Sequence, residues 1–170
     1  NIDFNGSVRI KGIVQPGFRV CAVGDVEISG TVSGGTVEAR SITVTGGIQG
    51  MNRGSLVAKE DIRASFAENA DIRAEKNVYI TDVVLHSEIH AGLKIVVEGR
   101  RGQITGGNML AGEEISAKTI GNSMNVSTKL EVGVNPMVRT KYAALRDGLM
   151  KKRQQLDKIH KMLHTLNGMD

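Results

Sequence analysis

Three residues able to bind a metal ion, His86, Glu88 and His90, alternate along one stretch of this 170-residue chain. Two imidazoles and a carboxylate on one face are a ligand set for an ion such as zinc. Alternation along a strand points all three the same way, provided that the strand runs regularly as far as His86. Residues two apart on a strand nevertheless stand about 6.5–7 Å apart, a wide fit for one ion. The spacing favours a solvated face, and neither a metal nor another cofactor is expected.

A second set is basic. Arg53 lies in the stretch 46–54, and Arg100 and Arg101 lie in 99–108, both rich in glycine. Backbone amides and guanidinium groups in such loops can grip a phosphate or an acidic partner, against the simpler reading of slack loops carrying solubilising charge. No Walker-type lysine follows either loop, so a nucleotide site is not indicated. A third set is acidic. Asp25, Asp61 and Glu114 recur at one place in a repeat, as a polysaccharide-cleaving enzyme would need, but Ser41, Asn77 and Lys94 interrupt the column. An acyltransferase reading fails on the irregular period. No catalytic residue is assigned.

The elements that must carry these residues repeat. Alanine falls at 22, 39, 58, 74, 91 and 111, each time closing a pair such as Val20/Ala22 or Ile72/Ala74. A second apolar pair follows: Val26/Ile28, Ile42/Val44, Ile62/Ala64, Val78/Ile80, Ile95/Val97, Ile115/Ala117. A single apolar residue then stands beyond a bend: Val32, Ile48, Phe66, Val84, Ile104, Ile120. Three short strands per 16–20 residues, repeated, are the mark of a solenoid. The spacing predicts an all-β solenoid, a single-stranded parallel β-helix of about seven to eight rungs. The step is too variable for the six-residue rule of left-handed forms, so the right-handed form is expected. Arg63, Arg73, Tyr79, Lys94 and Glu98 should face water. Residues 1–12, with Phe4 in the alanine place, read as an entry rung. Val126–Val132 is the last repeat-like piece. The two long Gly-rich stretches are expected to project from the same corner, three rungs apart.

Composition agrees. Aromatics are 3% of the chain and Trp is absent, so large rings cannot build the core. No apolar run approaches a membrane span and no signal peptide is visible. The chain starts at Asn1, which is read as the start of an excised piece. The lone Cys21 allows no intrachain disulfide and fits a reducing compartment. The net charge of +4 is concentrated at the end: residues 136–170 hold 8 Lys and Arg against 3 Asp. The repeats are near neutral, which argues against a general polyanion binder.

After Asn135-Pro136, a good N-cap and first helical residue, the texture changes. Apolar residues fall at Val138, Tyr142, Leu145, Leu149, Leu156, Ile159, Leu163 and Leu166, with Lys152 interrupting the seam and Asn167-Gly168 able to end it. That heptad stripe predicts a C-terminal α-helix. Two domains are expected, 1–134 for the β-helix and 135–170 for the amphipathic helix. Lys141, Lys151, Lys152 and Arg153 are read as its solvated face, and nucleic acid is not an expected partner.

The run Asn1–Val8, the Gly46-Gly47-Ile48-Gln49-Gly50 corner, the Leu85-His86-Ser87 step, and Glu131–Pro136 leading into a helix resemble the bacterial flagellar assembly protein A family over nearly the whole chain. The family's alanine-glycine-glycine-aspartate corner stands here as Ala22-Val23-Gly24-Asp25 and Ala91-Gly92-Leu93-Lys94, so a uniform ladder of corner aspartates is not expected. The resemblance implies a central β-helix followed by a coiled-coil segment, no catalytic role, and work in flagellar assembly in the bacterial cytoplasm. The expected function is thus a non-enzymatic scaffold whose partners are flagellar or cell-pole proteins. It would self-associate or dock through Tyr142, Leu145, Leu149, Leu156, Ile159 and Leu163. Two other classes stay open: a self-polymerising cytoskeletal β-helix like the bactofilins, and a polysaccharide-active enzyme.

Overall fold

A computed structural model describes residues 1–133 and 135–167, and these fall into two compact units, Asn1–Pro136 and Met137–Asp170. The first is a parallel solenoid of about seven turns. Its three faces follow from the three apolar pieces of the repeat. On the first face Val8/Ile10, Val26/Ile28, Ile42/Val44, Ile62/Ala64, Val78/Ile80, Ile95/Val97 and Ile115/Ala117 stack in register. On the second, Val14, Val32, Ile48, Ala67, Val84, Ile104 and Ile120 form a single column. The third face runs from Ile2/Phe4 through Val20/Ala22 to Met109/Ala111 and ends on Leu130/Val132. A strand of period 2 buries every second residue, so most of the side chains that each turn offers the interior are aliphatic. Most of these are fully buried, including Ile28, Ile42, Ile62, Ile72, Ile89 and Ile95.

The alanines align. Ala58 pairs with Ala39 and Ala74, and Ala91 pairs with Ala74 and Ala111. The turns that follow Ala91 and Ala111 are tight. There the backbones of successive rungs nearly touch: a Cβ on Gly92 would stand 1.9 Å from the Glu75 carbonyl oxygen, and one on Gly112 2.0 Å from that of Gly92. A longer side chain entering that corner would collide with the next rung.

Two expectations are corrected. Phe66 does not fill the second-face column; Ala67, fully buried, does. The pairing of Ile62–Glu68 with Asn77–Ala91 shifts register between Ala64 and Phe66, which turns Phe66 out of the column. Its ring then lies over Gly47 in the neighbouring turn, where a Cβ would come within 2.1 Å of the ring.

The two long Gly-rich stretches also do not share a corner. Ile48 keeps the usual step after Val44, so the extra residues before Ser55–Ala58 fall between the second and third faces. In the later stretch the extra residues lie between Val97 and Ile104, hence between the first and second faces. Glycine density marks a loop, but the position of the next inward residue decides which corner the loop occupies.

The second unit is one helix, α1 (Pro136–Asn167), starting at a proline whose missing N–H costs nothing at the first helical position. Tyr142, Leu145, Leu149, Leu156, Ile159 and Leu163 are all exposed. The side chain of Leu166 and the Gly168 end signal lie outside the described residues. Among the described residues no helix is long and apolar enough to cross a membrane.

Candidate functional site

The corner between the second and third faces requires a left-handed backbone. Gly17, Gly34 and Gly106 supply it with φ of 78°, 63° and 71°. Glycine adopts this conformation freely. Two turns do it without glycine: Asn69 has φ 46° and His86 φ 45°. A residue with a Cβ there costs about 1–2 kcal/mol. At His86 the corner is held from within. The buried Ser87 hydroxyl donates to the Leu85 carbonyl at 2.8 Å and accepts from the Ala70 N–H at 3.2 Å. Each such bond offsets about 0.5–1.5 kcal/mol of that cost. The His86 ring also explains a glycine: a Cβ on Gly106 would meet its Nδ1 at 2.6 Å.

Above Asn69 and His86 hangs the loop that carries Arg53. It is closed on itself by the Arg53 and Gly54 N–H groups, which donate to the Gly50 carbonyl at 3.0 and 2.9 Å. Met51 and Asn52 also hold positive φ, 52° and 54°. Loop and corners enclose a pocket of about 400 Å³ lined by Asn52, Arg53, Asn69, Asp71, His86 and Glu88. Its depth is set by the ladder, in which Ser55 pairs with Asp71 and Asp71 with Glu88.

The charges inside are not alike. Asp71 is taken: Arg73 donates to both of its oxygens, at 3.1 and 3.0 Å. Arg53 is not. Arg9, Arg19, Arg40, Arg63, Arg73 and Arg101 each hold a carboxylate, whereas Arg53 has no ion pair among the described residues. The nearest cationic partner of Glu88 is the His90 Nε2, at 3.9 Å. Burial, and the Arg73 guanidinium after it, push the His90 imidazole below its ordinary value.

The positive φ at His86 breaks the alternation that the metal reading needed. His86 stands at a corner, and Glu88 and His90 follow on the strand. Among the described residues no three His, Cys, Asp or Glu side chains converge as ion ligands. The three loop arginines are separated as well. Arg53 joins the pocket, and Arg101 lies at a different corner, donating to both Asp82 oxygens and holding that carboxyl below the usual range. The carboxylates of the interrupted column tie turns together. Asp25 takes both ends of Arg40, Asp61 accepts from the Asn77 N–H and Nδ2, and Glu114 meets Lys94 at 2.9 Å.

The half-buried His90 predicts a pH response. Its folded-state value lies below its unfolded one, so the unfolded chain binds more protons in the interval between them. Its contribution to stability is complete above the unfolded value of about 6.5 and is lost as pH falls through that interval. Facing charges are Arg73, Glu88 and Asp71. Urea midpoints measured from pH 8 to pH 5 should fall, and His90→Gln should flatten the part of the slope near pH 6. An unchanged slope in the variant would refute the assignment.

Sequence reading missed Asn52, Asn69 and Asp71 as neighbours of Arg53. One signal was present: aligning Gly17, Gly34 and Gly106 in the repeat places Asn69 and His86 in a glycine slot.

No curated protein and no solved structure matches the chain. A family model, that of the Flagellar Assembly Protein A beta solenoid domain, matches residues 1–170. With that match over its full length, and a parallel solenoid as its fold, the chain belongs to the Flagellar Assembly Protein A beta solenoid family.

Proposed function

We propose that this chain is a non-enzymatic scaffold of flagellar assembly in the bacterial cytoplasm. The solenoid is a rigid rod that displays docking corners, and α1 joins copies of the chain into a homo-oligomer or docks on flagellar or cell-pole proteins. The observation that carries this reading is the exposed stripe Tyr142, Leu145, Leu149, Leu156, Ile159 and Leu163, an apolar seam at heptad spacing. The corner carboxylates support it from the other side. Asp25, Asp61 and Glu114 are spent on neighbouring turns.

Swimming in soft agar tests the scaffold against the enzyme. In cells lacking the full-length protein, a copy carrying Asp25→Asn, Asp61→Asn and Glu114→Gln should restore swimming. A copy with aspartate at Leu149, Leu156 and Ile159 should leave the ring at the size of non-flagellated cells. The opposite pattern, from folded variants, would favour catalysis.

A second reading, a self-polymerising rod, is favoured by the first turn. Ile2, Phe4, Ile13 and Phe18 are exposed there, and Ile2, Ile13 and Phe18 border an apolar hollow of about 210 Å³. Filaments of purified protein in the electron microscope would support that reading.

A further inference from the structure

Among the described residues, the pocket beneath the Arg53 loop holds a cation without an ion pair, Arg53, a carboxylate whose ion-pair neighbour is the His90 imidazole at 3.9 Å, Glu88, and the neutralised pair Asp71–Arg73 between them. We propose that it binds an extended peptide carrying an acidic and a basic side chain two residues apart, the acid on Arg53 and the base on Glu88. This rests on the platform reading and names the chemistry of one partner segment.

The charges set the ligand class. Arg53 and Glu88 form no ion pair with one another among the described residues; Ser55, next to the loop, and Glu88 are two rungs apart, about 10 Å along the ladder. Asp71, in the rung between, is committed to Arg73. A simple anion entering here gains Arg53 and is repelled by Glu88; a cation meets the reverse. Only a ligand with both signs gains twice. Side chains two apart on an extended chain leave the same face about 6.7 Å apart. Such a ligand can make a charge-assisted bond at each end, to Arg53 in the loop and to Glu88 two rungs away. Asn52, Asn69 and His86 line the stretch between and can donate to and accept from a peptide backbone. The backbone supports a built site. Four positive-φ residues with side chains, Met51, Asn52, Asn69 and His86, border or line it. Strain of this kind persists where the surroundings fix it, and it clusters at ligand clamps.

The test is calorimetric titration of the full chain with end-blocked peptides at low salt. The probes are Gly-Gly-Asp-Ser-Lys-Gly-Gly, the uncharged Gly-Gly-Asn-Ser-Gln-Gly-Gly, and the singly acidic Gly-Gly-Asp-Ser-Gln-Gly-Gly. The dipolar peptide should bind about tenfold or more tightly than either control. Arg53→Gln and Glu88→Gln should each erase that advantage, with far-ultraviolet circular dichroism unchanged. The double exchange Arg53→Glu with Glu88→Arg should transfer the preference to Gly-Gly-Lys-Ser-Asp-Gly-Gly. Equal binding of dipolar and uncharged peptides overturns the proposal, and so does equal binding of the singly acidic one. Swimming of cells carrying Arg53→Gln and Glu88→Gln separates the two readings. Lost swimming without peptide binding removes this ligand and leaves the platform; peptide binding with normal swimming keeps the site and weakens the platform.

Discussion

Cutting Ile89 back to alanine should lower the unfolding free energy by about 2–5 kcal/mol. Ile89 is fully buried and stacks between Ile72 in one neighbouring turn and Met109 in the other. Removing its outer carbons deletes contacts to both, and the ladder hydrogen bonds that fix the rungs limit collapse of the hole. Position along the stack should govern the cost, because each turn of a solenoid is held only by its neighbours. Ile10 makes the comparison. It lies in the first turn of its face, half-buried, and pairs with Ile28 alone. The same cut there removes contact on one side and from a side chain already partly in water, so its loss should be well under half that at Ile89. Urea denaturation followed at a β-sheet wavelength measures both. Equal losses at the two positions would mean that the solenoid melts as one globular core and that stacking by turns is the wrong description of its stability.

The stacking was legible in the sequence because burial forces it. Alternation puts Val26/Ile28 and their successors inward whatever the loops do, and the alanines line up where the third strand of each inner turn ends. Hydrophobicity favours Phe66 over Ala67 for the column; the register shift that turns Phe66 out depends on the strand in the next turn. The corner of each long loop was hidden for a related reason. Glycine runs 46–54 and 99–108 look alike, yet Ile48 precedes its extra residues and Ile104 follows its own. The pocket was least legible. Its residues come from three turns, at 52–55, 69–71 and 86–88, and become neighbours only once the ladder is in register. That Arg53 is free while Arg73 is bound depends on where Asp71 points, which no spacing reveals.

Replacing Leu149, Leu156 and Ile159 together with aspartate should reduce the mass in light scattering to that of a single chain. On the pairing proposed for α1, these three side chains leave water when two helices meet. They are 62%, 57% and 56% exposed on the helix alone. Each contributes about 1.5–3 kcal/mol when fully buried, so three on each helix dominate the association of a seam this long. Aspartate does more than remove that gain. It places carboxylates in the seam, where desolvation of an unpaired charge opposes contact. The helix itself should respond. A helix of 32 residues, about 48 Å, with an uncovered apolar face owes much of its stability in water to packing. Its signal at 222 nm should therefore fall in the variant. The solenoid should melt where it did before, since Ile28, Ile62, Ile89 and their neighbours form a core of their own within the first unit. A companion variant with methionine at Leu149 and Leu156 keeps the seam apolar and should keep the native mass. If the aspartate variant instead scatters as the native protein does, α1 is not the seam that joins chains, and self-association would have to be sought at the exposed Ile2, Phe4, Ile13 and Phe18 of the first turn.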